Sequence, residues 1–153
     1  MSLDKIEENS PDSDTIRIVT TRFGTIELES SKVISFPEGI LGFPDLKRYV
    51  LMDYKDTEIK WLQAVDDPDI AFIVTDPAVL MPGFSIVLDP MTKKFLDLEN
   101  TEDLLVLVII RVENGKVIAN FLGPLIFNAT LMRGVQVVLD KDITGTATKS
   151  RFS

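Results

Sequence analysis

Apolar and polar residues alternate in short blocks along most of this chain, and glycine, proline, asparagine and aspartate separate the blocks. A period of two marks a strand with one face in a core and the other in water. TIRIVT (15–20) and TIELE (25–29) therefore read as a hairpin, with Gly24 serving its turn. SKVISF (31–36), RYVLMD (48–53), KWLQAV (60–65), IAFIVT (70–75) and FSIVL (84–88) continue the series. Glu113, Asn114 and Gly115 divide LLVLVIIRV (104–112) from KVIANF (116–121). Asn-Gly between β-branched runs predicts a type I′ turn, whose two central residues both need positive φ. PLIFN (124–128) and VQVVLD (135–140) close the series. The unbroken apolar run from Leu104 to Ile110 predicts a central strand, whereas alternating segments predict strands wet on one face. Only PMTKKFLDLENTED (90–103) carries a weak helical spacing, with Asp89 as its cap. The expected fold is mainly β: a single compact antiparallel β-barrel-like domain of about eight to ten strands with one or two short helices.

The two ends of the chain break the pattern. Residues 1–14 are poor in apolar side chains and rich in acids, which predicts a mobile acidic tail before a domain spanning 15–140. Residues 141–153 (KDITGTATKSRFS) are polar enough to predict a C-terminal tail that frays.

Two stretches inside the domain stand out. In FPEGILGFPDL (36–46), Pro37, Gly39, Gly42 and Pro44 are set among Phe36, Ile40, Leu41 and Phe43, a punctuation that forbids a regular element. Such a loop either folds back as a plug on the barrel or presents an apolar patch. The second stretch, WLQAVDDPDIAFIVTDP (61–77), holds the only tryptophan, and Asp66, Asp67 and Asp69 fall within four residues. Asp-Pro occurs at 67–68, 76–77 and 89–90, each time after an apolar run. Proline cannot donate to a ladder and aspartate bonds nearby N–H groups, so these dipeptides predict strand ends. Burying an indole removes roughly 150–250 Å² from water, which makes Trp61 an expected core anchor.

Composition narrows the chemistry. The chain has neither cysteine nor histidine. That excludes disulfides, thiolate nucleophiles, Ser-His pairs and His- or Cys-ligated metals together. A calcium loop at Asp66–Asp69 fits poorly, because Pro68 stiffens its middle and apolar residues follow where oxygen ligands should stand. GxGxxG and GxxxxGK[ST] are both missing, so no nucleotide site is expected. A formal charge of −8 disfavours nucleic acid and makes a basic protein the more natural partner. The acidic opening stretch is unlike a signal peptide, and the longest apolar run is too short for a membrane helix, so a cytoplasmic protein without direct membrane contact is the expectation.

Read in order, ISFPEGILGF, WLQAVDDPDIAFIVTDP, LLVLVIIRV, NFLGPLIFN and RGVQVVLD resemble the successive signatures of the flagellar assembly factor FliW family, over about residues 15–140. The resemblance implies a compact β-barrel-like protein that is not an enzyme; beside it, a monomer with no cofactor and no metal is the expectation. The resemblance also implies two competing protein partners, flagellin and the translational regulator CsrA. Flagellin occupies the protein until it is exported; the freed protein then captures CsrA away from its RNA site, and repression of flagellin translation ends. The motif positions carried over are Phe36, Pro37, Gly39, Gly42 and Phe43 in the loop, and Asp66, Asp67, Pro68, Asp76 and Pro77 around the turns. In the same two stretches, Ile40 and Phe43 are expected as apolar anchors for a partner, and Asp66, Asp67 and Asp69 as acidic contacts. The acidic tail departs from the family's usual pattern. Rival readings are a barrel enclosing a small apolar ligand and a hydrolase working with carboxylates alone. A filled interior favours the partner switch, a cavity the binder, and close carboxylates in a cleft the enzyme.

Overall fold

The computed structural model describes residues 14–139 in full, with the main chain of residues 140 and 146–152 in addition. Twelve strands are present among these residues. β1 (Thr15–Thr20) and β2 (Gly24–Glu29) form a separate two-stranded sheet. The others are β3 (Val33–Ser35), β4 (Arg48–Asp53), β5 (Ile59–Ala64), β6 (Ala71–Thr75), β7 (Ser85–Val87), β8 (Leu104–Glu113), β9 (Lys116–Ala119), β10 (Leu125–Asn128), β11 (Arg133–Asp140) and β12 (Thr146–Phe152). Two short helices, α1 (Pro77–Leu80) and α2 (Pro90–Phe95), complete the fold.

Pairing runs β10–β8–β6–β5–β4–β3–β11, and β11 pairs back onto β10, so seven strands close a ring. Every contact in the ring is antiparallel except the parallel closure of β3 on β11 at Ser35 and Arg133. Ring closure removes most of the exposed edges that make an open sheet prone to association. Beyond the ring, β11 continues to β12 and then, in parallel, to β7. Residues 146–152 thus correct the expectation of a frayed tail. Their main chain pairs with two strands, and ladder bonding depends on backbone rather than on apolar side chains, so a polar segment can join a sheet. The acidic tail expected over 1–14 lies outside the described residues apart from Asp14.

The core has two parts, one on each side of the β8–β10 pair. Inside the ring, Ile34, Phe36, Ile40, Tyr49, Leu62, Leu107, Leu125 and Phe127 pack together. On the other side Ile126, Val135, Val137 and Leu139 pack with Leu88 and Leu96, the latter just past α2. β10 sends Leu125 and Phe127 into the first cluster and Ile126 into the second, so all four of its residues are buried. The same division of β8, with Leu105, Leu107 and Ile109 on one side and Leu104 and Val106 on the other, explains its unbroken apolar run.

Local signals account for the turns. Glu113 faces Lys116 in the ladder, with Asn114 at φ 52° and Gly115 at φ 77°, the positive pair that a type I′ turn requires. Asp76 and Asp89 do more than end strands. Each accepts a bond from a helix N–H, Ala78 and Thr92 respectively, while the following proline occupies the first helical turn. α1 was not expected, because four residues are too few to show a helical period.

Candidate functional site

The loop 36–46 lies across one mouth of the ring, and its punctuation determines its shape. Phe36, fully buried, meets Tyr49 edge-on at 5.6 Å and Phe127 at 6.5 Å. Gly134 makes room for that ring; a Cβ there would stand 2.8 Å from Phe36. Gly39 has φ +72°, and a Cβ on it would come within 2.6 Å of the Phe43 carbonyl, so two independent reasons demand glycine. The Phe43 N–H donates to the Ile40 carbonyl at 2.6 Å, and Gly42, at φ +92°, completes the reversal. The result is a plug. Ile40 points inward and is 2% exposed, whereas Leu41 at the tip is 75% exposed.

Ile40 is therefore corrected from partner anchor to core residue: its side chain fills the barrel mouth. Phe43 is half-buried, edge-on to Phe72 at 5.5 Å, with part of its ring still at the surface. Pro37 and Gly42 are exposed and shape the loop. Leu41 is the residue that sequence reasoning passed over; its signal was an apolar side chain between two glycines at a turn.

The plug is clasped from the side by Gln136. Its Oε1 accepts the Leu41 N–H at 2.7 Å, and its Nε2 donates to the Gly123 carbonyl at 2.9 Å. One buried amide thereby joins the tip of the loop to the turn between β9 and β10, where Leu122 is 42% exposed. A lone glutamine between Val135 and Val137 was the available signal for such a bridge.

The acidic turn is built differently. Asp66 forms a two-pronged pair with Arg48, at 2.6 and 3.1 Å. The hydrogen bonds from Arg48 hold the Asp66 carboxyl below the usual carboxylate range and raise the Arg48 guanidinium in return. Asp67 Oδ1 accepts the Asp69 N–H at 3.0 Å, an Asx turn that Pro68 pre-organises. Asp69 accepts from the Thr21 hydroxyl, and the Thr21 N–H donates to the Pro68 carbonyl at 2.9 Å. From beneath, the buried Gln63 Nε2 lies within 3.4 Å of the carbonyls of Asp67, Pro68 and Ile70. Asp66 and Asp67 shape the turn, and Asp69 docks the β1–β2 hairpin on it. Asp66 is neutralised; Asp67 and Asp69 have no cationic partner among the described residues.

Trp61 also departs from expectation. It lies half-buried on the outer face of β5, with Phe23 edge-on at 5.8 Å and the Arg22 guanidinium 4.3 Å above its ring. It anchors the hairpin and lies outside both core clusters. The mouth therefore brings together the plug, the acidic turn joined to it through Arg48, and the Gly123 turn. Among the described residues, no group of three or more acids is placed to hold a metal ion. Two grooves lie outside the ring, on either side of Ile86. One of about 340 Å³ runs between Leu88 and Leu98, and one of about 270 Å³ between Phe84 and Val106.

A closed and filled small barrel, with a structured apolar and acidic mouth, defines the class of protein. Comparison with known proteins gives the family. The profile of the FliW protein family matches residues 17–150. The flagellar assembly factor FliW of Caldanaerobacter subterraneus subsp. tengcongensis is 40% identical over 127 residues, covering 80% of this chain and 85% of that protein. That of Thermoanaerobacter pseudethanolicus is 40% identical over 131 residues, covering 83% and 87%. A crystal structure of the flagellar assembly factor FliW superposes with a TM-score of 0.78 at 29% identity, covering 89% of this chain and 95% of that one. The chain belongs to the FliW family.

Proposed function

We propose that this protein is a non-enzymatic, cytoplasmic flagellar assembly factor that acts by switching between two protein partners. It holds flagellin; once freed, it captures the translational regulator CsrA away from the RNA-binding site and so relieves repression of flagellin translation. The observation that carries this reading is the mouth of the ring. The interior is packed with side chains and the motif loop is folded over it, leaving a surface for a macromolecule where a ligand-binding barrel would need a cavity. The net charge of −8 supports a cationic RNA-binding partner, since an acidic surface accelerates its encounter and makes binding salt-sensitive. Among the described residues no helix is long and apolar enough to cross a membrane.

Phe43, through its exposed part, and Asp67 and Asp69, through charge not matched by a local cation among the described residues, remain the candidate partner-facing residues of the loop and the acidic turn. Asp66 contributes by holding the turn. The test is titration calorimetry with purified CsrA at low and moderate salt, then with flagellin present. Salt-sensitive binding that flagellin abolishes is expected. Absence of binding to both proteins would overturn the reading.

A further inference from the structure

We propose that Leu41, held at the tip of the loop by the Gln136 amide and flanked by the exposed acids Glu38 and Asp45, forms the apolar centre of a docking face. Its occupant is a basic segment that presents an apolar side chain between lysines or arginines. The proposal rests on the partner-switch reading above and specifies where and how the cationic partner is held.

Three observations converge on it. The first is exposure under restraint. With Ile40 turned into the core, the Ile40–Phe43 reversal projects Leu41 outward, and the bond from its N–H to Gln136 fixes the tip. An exposed leucine on a fixed backbone loses little conformational freedom when a partner covers it, so most of its burial appears as affinity. The second is continuity. Gln136 spans the space between the Leu41 N–H and the Gly123 carbonyl with a single carboxamide, so the tip of the loop is braced against the turn between β9 and β10. A side chain at Gly123 would strike Asn120 Nδ2 at 2.7 Å, which keeps that turn as close to Gln136 as it is.

The third is charge. Glu38 and Asp45 flank the tip within the loop, both exposed, and Asp67 and Asp69 lie on the turn that Arg48 ties to the loop's end. None of the four has an ion-pair partner among the described residues. Arg48 is paired with Asp66 and Arg22 lies over Trp61, so neither offsets them. An apolar centre with an acidic rim selects a segment of the opposite rim.

The test measures CsrA affinity by calorimetry for Leu41→Ser, the pair Glu38→Gln with Asp45→Asn, and Gln136→Met, with Val87→Ser on the distant β7 as control. Leu41→Ser is expected to weaken binding at least about tenfold. The charge pair should lower affinity at low salt and flatten the salt dependence, and Val87→Ser should change nothing. Gln136 is a positioning residue. Gln136→Met should weaken binding alone yet add little in the Leu41→Ser background, whereas a purely structural role would lower Tm and leave affinity unchanged. Should the unsubstituted protein bind CsrA and Leu41→Ser bind within about twofold of it, the docking proposal falls and the partner switch stands. If the unsubstituted protein fails to bind, both fall. A change of oligomeric state on Leu41→Ser would assign the patch to a second copy of this chain and likewise overturn the proposal.

Discussion

The apolar loop 36–46 and the acidic turn 66–69 flank one mouth of the ring, yet they use their motif residues in opposite ways. In the loop, glycine and proline force the apolar side chains to divide between core and surface, with Phe36 and Ile40 inside and Leu41 outside. In the turn, the charged side chains stay near the surface but their oxygens are engaged locally, by Arg48, by the Asp69 N–H and by Thr21. Most motif positions in this protein are thus scaffold, and the exposed apolar side chain of Leu41 lies beside them. The loop should accordingly be sensitive to packing and the turn tolerant.

Replacing Phe36 is the most severe way to break the loop. Phe36→Ala removes a fully buried ring from between Tyr49 and Phe127 and should cost about 3–5 kcal/mol, read from the shift of the urea midpoint. Gly39→Ala should cost about 2 kcal/mol or more, because positive φ and contact with the Phe43 carbonyl act together; the same measurement reports it.

Tyr49 sharpens the comparison from below the plug. Its hydroxyl is buried and has no hydrogen-bond partner among the described residues, and burial pushes its pKa up to about 12. The folded state therefore retains a proton that the unfolded chain releases near pH 10. The stability present below pH 10 falls as pH rises toward 12. Tyr49→Phe should stabilise the protein by up to about 1 kcal/mol at neutral pH by removing an unsatisfied group, and should delay alkaline unfolding, as followed by circular dichroism against pH.

The smallest effect belongs to the turn. Asp66→Asn should cost no more than about 1 kcal/mol, since the pair with Arg48 is half exposed to water. The Asp66 carboxyl is depressed in the folded state, so its contribution is present above the ordinary value near 4 and disappears as pH falls through the lowered one. The stability difference between Asp66→Asn and the unsubstituted protein should therefore shrink in acid, and a constant difference across that range would show that the pair contributes little.

Much of the fold was legible because period-two alternation and turn chemistry are local. Asn114-Gly115, the Asp-Pro strand ends and the doubly covered β8 follow directly from residue order. The parallel addition of β12 to the sheet left no mark, because polar residues pair through backbone atoms. Trp61 was misjudged because aromatic area does not reveal which face of a strand carries it. The candidate site was half legible: punctuation located the plug, but the choice between Ile40 and Leu41 depends on which way a turn faces, and the roles of Gln63 and Gln136 depend on residues far away in sequence.

The central claim, that partners are held at the plugged mouth, is tested most directly by amide hydrogen exchange on the protein alone and saturated with CsrA. Added protection concentrated in residues 36–46 and 120–123 is the predicted result. Protection confined to the grooves beside β7, with the mouth unchanged, would contradict it.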